Sequence, residues 1–145
     1  AAVVEIYQNC NVFNDGAFEK ISGKEVRADM LIPLRHGEPI RFGADLDKGV
    51  VADPDGHVRI VNVADVGEDR LVIHDETRPD PGLAFALSRL SRGPFEPTPI
   101  GVFRDIDRPE YAGEINRQIE HAVEQKGPGD LAALLRSGAT WEAPG

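Results

Sequence analysis

The chain has 145 residues, of which 41% are hydrophobic, so it suits one domain with a modest core. Sixteen basic and 25 acidic residues give a net charge of −9, which disfavours binding to nucleic acid and to anionic membrane surfaces. No apolar run approaches membrane-spanning length, and no signal segment opens the chain. The single cysteine permits no internal disulfide, which fits a reducing cytoplasm.

The first predicted element is a strand over residues 3–7, because β-branched and aromatic residues suit a pleated, partly buried surface. It should end near Gln8, where turn-forming side chains begin, namely Asn9, Asn11, Asn14 and Asp15. Cys10 then lies just past the carboxyl end of a strand, where open α/β sheets usually keep their ligands. Since a lone strand leaves its edges unpaired, we expect the chain to be cut from something larger.

Short elements are predicted through the first half of the chain. Residues 16–24 suggest one helical turn, and residues 24–35 are ambiguous between a short helix and an extended segment, which Pro33 favours. Residues 38–43 alternate polar and apolar side chains, which predicts a short strand.

A β-hairpin is the clearest local prediction. Residues 49–52 and 57–61 flank Asp53-Pro54-Asp55-Gly56, which is turn chemistry. Another strand is predicted over residues 69–74, ending at the acidic pair Asp75 and Glu76.

Three helices are predicted in the second half of the chain. The first starts at Asp80-Pro81 and ends at Gly93-Pro94, with apolar residues at helical spacing, namely Leu83, Leu87 and Leu90. A strand or extended edge segment over residues 100–103 comes next. The second helix follows Pro109 and carries one apolar stripe, formed by Tyr111, Ile115, Ile119, Ala122 and Val123.

The third helix is short and is capped by Asp130. We expect its leucines to point inward, namely Leu131, Leu134 and Leu135. Trp141 follows and is predicted to hold the tail against the body.

Two groups of residues are candidate sites. Cys10 on its own is most simply a small buried hydrophobe, and one thiolate cannot build an iron–sulfur cluster, which generally takes four. His74, Asp75 and Glu76 invite a metal or acid–base interpretation, with His36 and His57 as helpers. Adjacent residues on an extended segment point to opposite sides, however, so a strand emerging into solvent is the simpler interpretation.

Residues 5–18 read Glu-Ile-Tyr-Gln-Asn-Cys-Asn-Val-Phe-Asn-Asp-Gly-Ala-Phe. This string resembles the β subunit of 2-oxoacid:ferredoxin oxidoreductases, the 2-oxoglutarate type in particular. The resemblance continues through residues 67–69, 72–75, 83–90, 98–104, 129–135 and 140–141, so it covers nearly the whole chain. The family's β subunit is much longer, and this chain matches its C-terminal part.

The predicted fold class is α/β to α+β. The resemblance implies that residues 1–23 are the terminal strand and the cluster-ligand loop of a thiamine-diphosphate-binding α/β domain. Residues 24–145 would be a C-terminal extension with the hairpin and three helices. In this family a [4Fe–4S] cluster is held by three cysteines from the N-terminal part of the β subunit and a fourth that follows the last strand of this domain. Cys10 stands at that fourth position.

The resemblance implies oxidative decarboxylation of a 2-oxoacid, 2-oxoglutarate in particular, to the acyl-coenzyme A. Thiamine diphosphate with Mg²⁺ would carry the carbanion chemistry, and the cluster would pass electrons to ferredoxin. The implied partners are the α subunit, the N-terminal part of the β subunit and, through the whole enzyme, ferredoxin. The net charge of −9 argues against this portion as the main docking face for an acidic ferredoxin.

The family's thiamine motif and the other three cluster cysteines are not among these 145 residues. We therefore expect this chain alone to bind none of these cofactors, to supply no catalytic residue and to be inactive. Two alternatives stay open: a stand-alone, non-catalytic α+β binding or scaffolding module with Cys10 buried, and a metal-dependent enzyme using His74, Asp75 and Glu76.

Overall fold

The computed structural model describes residues 2–93, 95–139 and 141. They fall into two compact units, Ala1–Ile106 and Asp107–Gly145. The first unit contains the helices α1 (Glu19–Ser22), α2 (Arg27–Met30), α3 (Val63–Val66) and α4 (Gly82–Ser88), a 3₁₀ turn (Glu68–Arg70), and the strands β1 (Leu31–Leu34), β2 (Arg41–Phe42), β3 (Lys48–Ala52), β4 (Val58–Asn62) and β5 (Thr98–Gly101). The second unit contains α5 (Tyr111–Lys126) and α6 (Leu131–Leu135). The mixed α/β class is confirmed.

Two small sheets form the first unit. β1 and β5 pair in parallel, with Leu31 opposite Thr98, although they lie far apart in the sequence. β2, β3 and β4 form an antiparallel sheet in that order. The predicted hairpin is β3–β4, and the amide of Asp53 donates to the carbonyl of His57 at 2.8 Å to close its turn. Gly56 adopts φ +86° in this turn, a conformation that glycine tolerates at no steric cost.

The core lies between these strands and α4. Its buried side chains are Ile32, Leu34, Ile40, Phe42, Val50 and Leu87. The strand β1 alternates half-buried and buried positions, as a strand with one core-facing side does. Leu87 is fully buried, so α4 is attached to the core through this residue.

The strand predicted over residues 3–7 is wrong for the described chain, because residues 2–9 form no strand. Val3 is 98% exposed there. A strand persists only where a neighbour takes up its backbone hydrogen bonds, and no strand of the described residues pairs with this segment.

The strand predicted over residues 69–74 is also wrong. The 3₁₀ turn Glu68–Arg70 takes its first part, and only a single bridge joins Ile73 to Pro39. On either side of this bridge the Ile40 amide donates to the Val72 carbonyl at 2.9 Å and the His74 amide donates to the Glu38 carbonyl at 3.0 Å, so the pairing is confined to these few residues. The Val72 amide instead donates to the carbonyl of Val50 at 2.8 Å.

The predictions for residues 16–43 and for the first long helix are right in kind and different in extent. Both possibilities for residues 24–35 occur in succession, as α2 and then β1. α4 follows Asp80, whose Oδ1 accepts the Gly82 amide at 2.9 Å, but it ends at Ser88, well before the predicted stop. Pro94 of that stop lies outside the described residues. Beyond residue 24 the described chain has five helices rather than three, because α2 and α3 form single turns that the sequence pattern does not announce.

The second unit begins with the long helix that was predicted after Pro109. Asp130 caps α6 as predicted, since its Oδ1 accepts the Ala133 amide at 3.0 Å. The inward orientation predicted for the α6 leucines is wrong, because Leu131, Leu134 and Leu135 are 69%, 68% and 70% exposed. Trp141 is 86% exposed, and the predicted attachment of the tail to the body stays a prediction. Two helices alone leave this unit without a second layer in which these side chains could be buried.

None of the helices in the described part of the chain combines the length and the apolar character that crossing a bilayer requires.

Candidate functional site

Cys10 begins a tight turn near the start of the first unit. The Asn14 amide donates to the Cys10 carbonyl at 2.8 Å, and the two residues form an isolated antiparallel bridge. The thiol is partly exposed and lies outside the buried core. It is therefore not the inert core thiol that a cysteine without other context would suggest.

Side chains on both sides of this turn close it into a loop. The Asn9 amide nitrogen donates to Asp15 Oδ1 at 2.8 Å, and the Gly16 amide donates to Asn9 Oδ1 at the same distance. Just outside these bonds the rings of Tyr7 and Phe18 stack, with centroids 4.9 Å apart and planes inclined by 6°. We call residues 7–18 the cysteine loop; local contacts alone define its shape.

Backbone amides near the turn act on the Cys10 thiol. The amides of Phe13 and Val12, and to a smaller extent that of Asn14, lower the pKa of the thiol below its ordinary value, although burial opposes them. Such amides stabilise the negative charge of a thiolate. Since the thiolate is the form that binds metals, Cys10 has the chemistry of one ligand. Only one cysteine occurs in the sequence, so it fits one corner of a [4Fe–4S] cluster and no more.

A concave surface of about 520 Å³ lies beside the cysteine loop. Its lining includes the aromatic pair and polar or acidic side chains, namely Tyr7, Asn9, Asp15, Phe18, Glu19 and Ser22. Cys10 is not part of this lining, so the surface is a neighbour of the thiol and is not centred on it.

The second predicted group is only partly assembled. His36, Asp75 and Glu76 each place one donor atom within 4.8 Å of the others, and we call these three residues the His36 cluster. His57 is not part of it. His36 Nδ1 lies 2.8 Å from Glu76 Oε2 and 3.8 Å from Asp75 Oδ1. The sequence named His36 only as a helper, although it is the histidine that completes the cluster.

His74 lies behind this cluster and is 2% exposed. Its Nε2 lies 2.8 Å from the Val102 carbonyl and must carry the proton of that hydrogen bond. Its Nδ1 is buried and has no partner among the described residues. The interpretation that these residues extend into solvent is therefore wrong for His74, which is buried, and right for Asp75, whose side chain is 41% exposed.

The charges of the His36 cluster stabilise one another. The hydrogen bond to Glu76 raises the pKa of His36 above its ordinary value. Hydrogen bonds from Thr77 lower the pKa of Asp75. For Glu76, its own backbone amide and then His36 lower the pKa. The cluster is acidic overall even with His36 protonated, because it has two carboxylates and one imidazole.

Arg104 is a half-buried cation whose place beside the His36 cluster the sequence did not indicate. It lines a small cleft together with His74, Asp75 and Glu76. Its Nη2 donates to the Pro79 carbonyl at 2.6 Å, and its Nε has no partner among the described residues. An arginine in a charged loop carries no sequence signal that would place it beside a distant histidine and two carboxylates.

Comparisons with known proteins bear on the first candidate. The chain is 41% identical over 143 residues to the 2-oxoglutarate oxidoreductase subunit KorB of Mycobacterium tuberculosis (strain ATCC 25618 / H37Rv). The match covers 97% of the chain and 38% of that protein, so the chain spans well under half of the relative's length. No family model matches the chain, and no solved structure matches it at a significant level. The resemblance predicted from the sequence is nevertheless confirmed: along nearly its whole length, this chain is similar to a 2-oxoglutarate oxidoreductase β subunit.

Proposed function

We propose that this chain serves as the C-terminal part of the β subunit of a 2-oxoglutarate:ferredoxin oxidoreductase. The observation that carries the proposal is the 41% identity, because it extends over 97% of the chain rather than over one motif. The reaction proposed for the whole enzyme is the oxidative decarboxylation of 2-oxoglutarate to succinyl-coenzyme A, with electron transfer to ferredoxin.

Cys10 is the residue to which we assign a direct role, as the fourth ligand of a [4Fe–4S] cluster. Its partly exposed sulfur and the three amides that lower its pKa both favour a metal-bound thiolate. When bound, the cluster supplies one-electron transfer to ferredoxin. The three other cluster cysteines, the thiamine diphosphate site and its Mg²⁺ are assigned to the N-terminal part of the β subunit.

The rest of this portion is proposed to make contacts with other parts of the enzyme. The segment before the cysteine loop supports this proposal, because Val3, Val4 and Ile6 are 98%, 79% and 75% exposed. Its β-branched composition suits a strand, and the partner strand is proposed to belong to the thiamine-diphosphate domain. Exposed apolar residues of this kind favour burial against a partner surface.

The proposed role of Cys10 can be tested by Cys10→Ser in the assembled enzyme. Serine keeps the size of the side chain and removes the sulfur ligand, so we expect loss of the iron–sulfur absorbance and of ferredoxin reduction. Val12→Ala is the matched control: its side chain lies in the same loop and is 78% exposed, and its backbone amide is retained. The control should keep both the absorbance and the activity.

Two further results would decide the proposal. Intact cluster absorbance in Cys10→Ser would refute the ligand role. Absence of 2-oxoglutarate-dependent ferredoxin reduction by the unsubstituted enzyme would refute the proposed activity.

A further inference from the structure

The His36 cluster brings together one imidazole nitrogen and two carboxylate oxygens from two separate segments. His36 lies in the turn after β1, and Asp75 and Glu76 follow Ile73. Nitrogen and oxygen donors in this combination are typical ligands of first-row divalent metals such as Zn²⁺.

The geometry is close to what a metal requires. Donor atoms about 2.1 Å from a tetrahedral ion lie roughly 3.4 Å from one another. In the His36 cluster, the histidine nitrogen lies 2.8 Å from the Glu76 oxygen and 3.8 Å from the Asp75 oxygen, values on either side of that separation. The third separation, between the Asp75 and Glu76 oxygens, is at most 4.8 Å, so rotation of the partly exposed side chains by about an ångström would bring all three donors to the ion.

The backbone around the cluster is fixed by hydrogen bonds. The Gly37 amide donates to the His74 carbonyl at 2.8 Å, and the His74 amide donates to the Glu38 carbonyl at 3.0 Å. On the other side, the Asp105 amide donates to the Glu76 carbonyl at 2.8 Å. The two segments that carry the three donors are therefore held side by side in the absence of a metal.

Neighbouring groups orient the carboxylates. The Thr77 hydroxyl and amide donate to Asp75 Oδ1 at 2.6 and 2.9 Å. Outer groups of this kind commonly hold metal ligands in position. Two cations oppose binding: Arg78, whose charge acts on Asp75, and Arg104, which lines the same cleft as Asp75 and Glu76.

We propose that His36, Asp75 and Glu76 form a binding site for one divalent transition-metal cation of the Zn²⁺ class, with a water molecule in a remaining position. The bound ion joins the turn after β1 to the segment that follows Ile73. Because the three ligands leave a coordination position open at the surface, the site has the donor set of a metal centre that can take a further ligand.

Zn²⁺ titration of the purified protein by isothermal calorimetry, with excess Mg²⁺ to occupy oxygen-only sites, tests the proposal. His36→Gln should weaken binding at this site by about tenfold or more, because it removes the only nitrogen ligand. Since the His36 side chain is 59% exposed, this variant should fold, which circular dichroism checks. His57→Gln is the matched control, because His57 is an exposed histidine outside the cluster. Zn²⁺ bound elsewhere, at Cys10 for example, is bound equally by the unsubstituted protein and both variants, so it does not contribute to the difference in affinity between them.

A second measurement is independent of the calorimetry. Zn²⁺ should raise the thermal midpoint of the unsubstituted protein and of His57→Gln, and should raise that of His36→Gln far less, since an ion that binds only the folded state stabilises it. Equal Zn²⁺ affinity in the unsubstituted protein and His36→Gln would overturn the proposal. An equal loss of affinity in His57→Gln would overturn it too.

Discussion

Leu87 anchors the helix α4 to the core of the first unit, and its truncation is the sharpest test of the fold. Its side chain is fully buried in a cluster with Ile32, Phe42 and Val50. On the same helix, Leu83 and Ala84 line the cleft that includes His74 and Arg104. Loosening of α4 would therefore disturb that cleft as well as the core.

The cost of Leu87→Ala follows from this burial. Buried leucine-to-alanine substitutions cost about 2–5 kcal/mol, and the larger values belong to sites that cannot collapse around the cavity. Leu87 is enclosed by strands on one side and by its own helix on the other, so we expect about 3 kcal/mol or more. For a unit of this size, such a loss lowers the thermal midpoint by more than about 10 °C.

Phe85→Ala is the control on the same helix. Phe85 is 63% exposed, and the Arg89 guanidinium lies 5.5 Å from its ring centroid. Loss of that contact should cost less than about 1 kcal/mol. Urea unfolding followed by circular dichroism measures both variants. Equal destabilisation by the two substitutions would show that α4 does not pack on the core through Leu87.

Three further outcomes are expected. The rate of Cys10 alkylation by iodoacetamide should reach half its maximum at a lower pH than that of an unstructured cysteine peptide, because backbone amides lower the pKa of the thiol; equal midpoints would contradict this. Gly101→Ala should destabilise the protein by roughly 1–3 kcal/mol in urea unfolding, since Gly101 has φ +123° and an added Cβ would lie 2.9 Å from the Leu34 carbonyl oxygen. Gly129→Ala is the control and should not destabilise the protein, because the space around Gly129 is open. In metal-free buffer, His36→Gln should reduce stability most between the lowered pKa of Glu76 and the raised pKa of His36. The contribution of this pair disappears as the pH rises through the pKa of His36 or falls through that of Glu76, so a stability difference that is constant with pH would refute the ion pair.

Local signals in the sequence were sufficient for some elements. The β3–β4 hairpin was predictable because Asp53-Pro54-Asp55-Gly56 is a turn signal and the flanking residues are β-branched. The Asp130 cap of α6 was predictable for the same reason, since the bond from the Ala133 amide spans three residues. In both cases the residues that decide the structure are neighbours in the chain.

Contacts between distant residues were not predictable in this way. The parallel pairing of Leu31 with Thr98 joins residues far apart in the sequence through a crossover connection, so no local pattern encodes it. His36 meets Glu76 because hydrogen bonds join Gly37 and Glu38 to His74, and no local sequence pattern predicts these bonds. The resemblance to a known family located Cys10, but it could not reveal the amides that lower the pKa of the thiol.

The apolar faces at residues 3–6 and in α6 show where periodicity stops being informative. A periodic pattern of apolar residues indicates which face of an element favours burial. It does not indicate which other element or partner covers that face. In α6 the helix and its cap formed as predicted while Leu131 and Leu135 stayed 69% and 70% exposed, so the secondary structure and its burial are separable. Burying one such side chain is favourable by about 1.5–3 kcal/mol relative to leaving it exposed. These exposed residues would therefore stabilise contact with a partner surface. In the assembled enzyme that we propose, other parts of the enzyme would bury these apolar faces.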